Sequence, residues 1–310
     1  MRRALIAIMF LCASQGPTAA ATGYAGEFLA LGAGARALAL GSAVVALADD
    51  ATASYWNPAG LLHVAARQLH LTHAERYGGM VAHDVLSVAA AGDGRRGLGA
   101  TLVRVGVADI PFTALPDPSQ PPASTNRPIV VSTESSADYA LYLGYARRLG
   151  AHLDVGLTAK GIYRSIASYS AHGLGADLGL LVHLHPAVTV GMVVRDLTTT
   201  PVVWSTDTTD RIRPSLLGGA AVARPLGSGR LTALLAARTG GDAAPADDAT
   251  PVQVGLEYAY RQVAARAGLE EGRLSVGLGL CPHARLRLDL AYAQHDDLEA
   301  TQQVSASFRF

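Results

Sequence analysis

From residue 68 to its end the chain repeats one pattern: apolar and polar residues alternate over runs of about ten, and turn residues separate the runs. Side chains on an extended strand point alternately to opposite faces, so such a run is a strand with one oily and one polar side. Leu286, Leu288, Leu290 and Tyr292 oppose Arg285, Arg287 and Asp289. Val252, Val254, Leu256 and Tyr258 oppose Gln253, Gly255 and Glu257, and Leu153, Val155 and Leu157 oppose Asp154, Thr158 and Lys160. The last run places Val304, Ala306, Phe308 and Phe310 on one face and Ser305, Ser307 and Arg309 on the other. A terminal strand of this kind, ending in Phe, is the pattern of an outer-membrane barrel, with Phe308 and Phe310 as the expected signal to the barrel-assembly machinery. Half of the residues are hydrophobic and only 16% charged. Beyond the first residues there is no uninterrupted apolar run long enough to cross a bilayer as a helix. A closed barrel is the other structure that satisfies every backbone group in lipid.

Fourteen runs can be counted, near 68–75, 83–91, 96–105, 137–147, 150–163, 171–183, 187–195, 214–224, 228–239, 251–260, 262–269, 272–281, 284–293 and 301–310. The connections support a barrel independently. Those near 92–95, 148–149, 184–186, 225–227, 260–262 and 282–283 are short, and each joins an even run to an odd one. Those at 106–136, 196–213 and 240–250 are long, and each joins an odd run to an even one. Short periplasmic turns and long extracellular loops give this rhythm, and an even strand number places both chain ends in the periplasm. The longest loop, rich in Pro, is read either as a mobile surface loop or as a segment folded over the mouth.

The start agrees with export. Arg2 and Arg3 precede an apolar run from Ala4 to Ala13, and small residues at 19–21 offer a cleavage site, so 1–21 is expected to be a signal peptide. Leu11 before Cys12 argues against a lipoprotein site, and cleavage leaves Cys281 alone, so no internal disulfide is expected. Basic and acidic residues number 25 each, and no basic stripe suggests nucleic acid.

Residues 22–66 do not fit the strand pattern. They carry Gly34-Ala35-Arg36-Ala37-Leu38, then Ala46-Leu47-Ala48-Asp49-Asp50, and close on Trp56-Asn57-Pro58-Ala59-Gly60-Leu61. In these motifs the chain resembles the PorV/PorQ family of outer-membrane proteins, which are related to FadL-type transporters. Looser landmarks follow at Gly173 to Leu181, Gly255 to Tyr258 and Leu288 to Tyr292. The resemblance implies a fourteen-stranded barrel, an all-β fold, over 67–310, with 22–66 folded inside as a hatch. It also implies two possible roles: passive uptake of hydrophobic small molecules, or a plugged barrel that docks secreted proteins, as type IX secretion members do. Gly32 and Gly34 would let backbone pack closely, Pro58 would lock a turn after Asn57, and Trp56 would fill the lumen. Arg36 belongs to the same candidate gating set. Asp49 and Asp50 are expected to pair with inward Arg285, Arg287 or Arg309. Whether the hatch only seals the barrel or also gates it stays open.

Other chemistry finds little support. Gly32, Gly34 and Ala37 imitate a dinucleotide fingerprint without the strand and helix it needs. His70 and His73 fall on opposite faces of a run, and His183 and His185 share one but show no third ligand, so no metal site is expected. There is no Gly-x-Ser-x-Gly elbow, so neither enzyme activity nor a cofactor is expected. Some of Tyr139, Tyr142, Tyr145, Tyr163, Tyr169, Tyr258, Tyr260 and Tyr292, which lie near strand ends or along strands, are expected in interfacial girdles. The inward faces hold small residues and a few charges, Asp154, Lys160, Asp177, Glu257, Arg285, Arg287 and Asp289, which leaves room for the hatch or for a substrate path.

Overall fold

A computed structural model describes residues 25–91, 94–241, 250–295 and 298–310. The expected signal peptide, the first residues of the hatch and the centre of the 240–250 loop lie outside them. The strands are β1 (Arg67–Arg76), β2 (Val81–Ala91), β3 (Arg96–Ala114), β4 (Ile129–Arg148), β5 (Leu153–Ile166), β6 (Tyr169–His185), β7 (Val188–Arg195) and β8 (Thr200–Trp204). They continue with β9 (Thr209–Ile212), β10 (Ser215–Leu226), β11 (Gly229–Gly240), β12 (Val252–Tyr260), β13 (Val263–Glu270), β14 (Arg273–His283), β15 (Leu286–Ala293) and β16 (Thr301–Arg309). All pairings are antiparallel. β16 pairs with β1, Leu69 opposite Phe308, and β5 with β6, so the sheet closes on itself. Closure pairs every strand of the ring on both sides, and β9, which pairs only with β8, keeps a free edge.

Fourteen staves make the barrel: β1 to β7 and β10 to β16. The short β8 and β9 form a hairpin that extends the wall above β7. β7 pairs with β6 from Leu178 onward, whereas β8 pairs with it at Ala171 to Gly173. The ladder on β6 is therefore interrupted between Arg195 and Thr200, where Asp196 and Thr199 take positive φ of 53° and 67° and one backbone bond, Leu197 N–H to the Ala176 carbonyl at 2.8 Å, bridges the stretch.

Each of the fourteen runs read from the alternation corresponds to a stave, and the oily faces turn outward. Val254, Leu256, Leu288, Leu290, Val304, Phe308 and Phe310 are exposed on the outer surface, while Gln253, Glu257, Asp289, Ser305 and Ser307 are buried inside. Tyr145, Tyr163, Tyr169, Tyr260 and Tyr292 are exposed on the outer surface. Tyr142 is not among them: it is buried, with its ring 5.2 Å from that of Tyr55.

The expected 106–136 loop is instead mostly sheet. β3 runs on to Ala114 and β4 starts at Ile129, giving an arm beyond the barrel rim. Thr113, Ile129, Val130, Val131 and Thr133 have the branched side chains that favour pairing. The prolines gather at the tip, where the Asn126 side chain ties Asp117, Gln120 and Pro121 together. Val130 and Val131 are each 59% exposed, so the arm buries little of its own apolar surface.

Residues 25–64 lie inside the barrel. They form a 3-10 turn (Glu27–Ala30), α1 (Ala35–Ala39), α2 (Ala53–Trp56) and a second 3-10 turn (Pro58–His63). α1 packs on β13 to β16 and the second turn on β2 to β6, so the segment spans the lumen from wall to wall. Wall glycines make the fit possible. A Cβ on Gly156 would stand 2.3 Å from the Ala59 nitrogen, and one on Gly268 would stand 2.1 Å from the Gly41 nitrogen. The segment begins at the long-loop end, where the Ala25 carbonyl accepts a bond from Arg164 near the end of β5. It descends to β1 at the short-turn end, where Phe310 N–H donates to the Arg67 carbonyl. First and last staves thus share an end, as the even count requires, but the described part of the hatch starts at the opposite one.

Candidate functional site

The interface between hatch and inner wall gathers most of the polar side chains singled out in the sequence. Its local frame is the run 55–58. Pro58 opens the second 3-10 turn, and the Asn57 side chain caps it by accepting from Ala59 N–H at 3.1 Å. The same amide donates to the Val45 carbonyl at 2.8 Å and to Leu180 in the wall at 3.1 Å. Asn57 is fully buried, so these three bonds account for its polar atoms. Trp56 donates its indole N–H to Ala33 at 2.8 Å. Tyr55 donates to the Leu29 carbonyl and accepts from Gly32 N–H. Gly32 and Gly34, at φ 87° and 92°, let this chain double back over the aromatic pair. The Arg195 guanidinium covers both rings, 5.1 Å from Tyr55 and 5.6 Å from Trp56.

Three charged nodes pin the hatch and the wall. In the first, Arg36 forks onto Glu257, with both bonds at 2.9 Å. Arg36 also binds Asp49, and Asp50 lies 3.9 Å away. Glu257 accepts from Arg266 at 2.7 Å, while Arg287 bridges Glu257 and Asp289. The acidic pair therefore finds its partner on its own segment, contrary to the expected pairing with Arg285, Arg287 or Arg309. A partner thirteen residues away within one folded segment is already in reach, whatever the wall's register. Arg285 sits exposed in the turn between β14 and β15 rather than in the lumen. Burial opposes ionising Asp50, but His70, Arg36 and two bonds from Thr52 outweigh it and hold its carboxyl below the usual range.

In the second node Lys160 is buried with Asp177 at 3.3 Å and Asp196 at 2.6 Å. Asp177 also accepts from Asp196 N–H at 2.8 Å, and Thr200 donates to the Asp196 carboxylate. This node holds the broken stretch of wall from inside. The third joins Asp154 to Arg148, His63 and His183 at the short-turn end. The terminal strand contributes as well: Ser305 accepts from Ala35 N–H at 2.8 Å, at the start of α1.

Sequence reasoning missed Arg266, His63 and the role of Arg195. Arg266 shares its strand face with Gly268 and Ala264, and that parity alone would have turned it inward. His63 carries no such signal, because its neighbours Asp154 and His183 lie 91 and 120 residues further on. Among the described residues, cavities of about 50 and 170 Å³ lie between hatch and wall at the long-loop end. A groove of about 640 Å³ opens on the outer surface of β3 to β6 and β8, lined by Leu102, Leu141, Tyr163, Leu174 and Val203 among others.

No protein-family model matches the sequence, and no curated protein does. Solved structures match the fold. The Ralstonia pickettii toluene transporter TbuX aligns with a TM-score of 0.61 at 13% identity, over 90% of this chain and 98% of that one. The Pseudomonas putida toluene transporter TodX gives 0.58 at 15%, over 89% and 96%. A Pseudomonas aeruginosa FadL homologue gives 0.52 at 11%, over 87% and 97%. The fold is FadL-like. At such identities the likeness concerns architecture: an outer-membrane type of barrel whose lumen here holds its own N-terminal segment.

Proposed function

We propose that this FadL-like barrel sits in the outer membrane, short turns in the periplasm, and carries small hydrophobic molecules passively across it. The observation that supports this most is the break in the β6 ladder between Arg195 and Thr200, where a single backbone bond from Leu197 replaces continuous strand pairing. A barrel that only seals needs no break. A barrel that passes oily solutes gains from one, because the hatch fills the straight path and the lipid beside the wall is a favourable destination. The 640 Å³ groove lies on the lipid side of this region, with Pro201 and Val203 of β8 in its lining. Monoaromatic hydrocarbons are the substrate class the neighbours' names suggest, since two of them are toluene transporters. The test is uptake of radiolabelled toluene by Gram-negative cells with an intact lipopolysaccharide leaflet. Expression of the chain should raise it. Excising the three residues 197–199, the number by which the registers of β7 and β8 on β6 differ, lets β7 run in register into β8 and should return uptake to background while the barrel still folds. No gain in uptake with the native chain would overturn the proposal.

One observation favours the second reading, a plugged docking barrel of the PorV/PorQ kind. The arm of β3 and β4 carries Phe112, Ile129, Val130 and Val131 exposed beyond the rim. Deleting 107–135 separates the readings: uptake that survives the deletion assigns the arm to another task, and uptake lost with it makes the arm part of the entry route.

A further inference from the structure

We infer that His63, Asp154 and His183 form a binding site for a divalent transition metal of the zinc type, at the foot of the hatch. Three separate elements converge there: the last residue of the second 3-10 turn, the start of β5 and the end of β6. The Nε2 atoms of His63 and His183 face the same carboxylate oxygen, Asp154 Oδ2, at 2.7 and 2.9 Å. All three ligand atoms lie within 4.8 Å of one another. Ligands about 2.0–2.2 Å from one tetrahedral ion stand about 3.3 Å apart. The widest separation therefore needs a closure of at most about 1.5 Å, and each imidazole nitrogen an opening of about 0.4–0.6 Å from the carboxylate oxygen. Side-chain rotation supplies that.

The surroundings suit an ion. Asp154 is fully buried, whereas the His63 and His183 side chains are 29% and 26% exposed. The carboxylate is thus fixed and the imidazoles leave an entry path, with an open position for water. Three protein ligands plus water is a common zinc arrangement. Outer contacts orient the ligands, as metal sites require. Thr189 Oγ1 lies 3.3 Å from His183 Nδ1, and Arg148 donates to both Asp154 oxygens at 2.7 and 2.9 Å. Two imidazoles select against Ca²⁺ and Mg²⁺ and in favour of Zn²⁺, Ni²⁺ or Cu²⁺. The positive charge of Arg148 opposes the ion, so affinity is below that of a closed structural site. The bound ion would clip the hatch to β5 and β6, independently of what the barrel transports.

Co²⁺ titration of the full chain, folded in detergent micelles and stripped with EDTA, tests this. One Co²⁺ per chain should give visible d–d bands and be displaced by Zn²⁺. His63→Gln and His183→Gln keep a donor for Asp154, and heat-shifted gel mobility verifies their folding. Each should weaken Co²⁺ binding by at least the roughly 10–100-fold that loss of an orienting partner costs, and Thr189→Val by less. The inference is overturned if the native chain binds Co²⁺ no more tightly than the H63Q/H183Q double variant. It is equally overturned if binding persists in that variant and disappears with His73→Gln, which would place the ion at the exposed His73–Asp84 pair.

Discussion

Leu256 and Glu257 are neighbours in β12 and live in different solvents. Leu256 is exposed on the outer wall, where, in the proposed membrane setting, any apolar side chain of moderate size satisfies lipid. Glu257 is buried inside and holds Arg36, Arg266 and Arg287 at once. Gly156 and Leu157 in β5 repeat the contrast: Gly156 abuts the Ala59 backbone, while Leu157 faces outward. The outer face specifies a class of residue and the inner face specifies a partner. Tolerance to substitution should therefore alternate along each strand with the same period as hydropathy.

The largest break in that contrast is expected at Glu257. Removing one member of a buried ionic cluster leaves charge uncompensated, at a cost of about 3–5 kcal/mol. Glu257→Ala should show it as a lowered urea midpoint of the folded barrel. A loss below about 1 kcal/mol, the ordinary worth of an exposed pair, would mean that Arg36 and Asp49 suffice to hold the hatch. Its neighbour sharpens the comparison in the other direction: Leu256→Arg should cost about 2–4 kcal/mol if the site lies near the bilayer midplane and less toward either rim. Repeating the Arg substitution at Val254 and Val252 maps the depth of the strand, and a flat profile would contradict lipid contact.

Gly156→Ala comes next. Its Cβ would meet hatch backbone rather than a movable side chain, so overpacking should cost about 1–3 kcal/mol. Leu157→Ala on the outer face should cost less than either, because lipid fills the gap that a protein core would leave as a cavity. Equal losses at the two positions would show that the hatch yields to the wall, and the inner-face rule would fail there.

The same contrast explains what could be read from the chain alone. Period two marks a strand locally, so Leu286 to Tyr292 or Val252 to Tyr258 could be placed without knowing what they touch. The hatch could be set apart because Trp56, Asn57 and Pro58 lie in a stretch without that period. Its contacts could not be read. Arg36 meets Glu257 across 221 residues, and only the closed barrel brings the two together. The His63 cluster has the same origin. The arm was misplaced for a local reason: Pro111 and the prolines from 116 to 128 read as loop, although Ile129 to Thr133 read equally well as strand.

Deleting Phe310 tests the making of the barrel apart from its standing stability, and should have the smallest effect on the latter. Its side chain points outward and is exposed, and its N–H donates at the seam where β16 meets β1. One end-of-strand hydrogen bond is worth about 0.5–1.5 kcal/mol. The seam keeps the pairs from Gln68 opposite Arg309 to Glu75 opposite Gln302, so the truncated barrel, once folded, should unfold within about that margin of the native one. If Phe308 and Phe310 are read by the assembly machinery, as their outward placement allows, the same deletion should sharply reduce the fraction inserted in cells. Normal insertion together with a large loss of stability would reverse the assignment, making the terminal aromatic a structural clasp instead of an assembly signal.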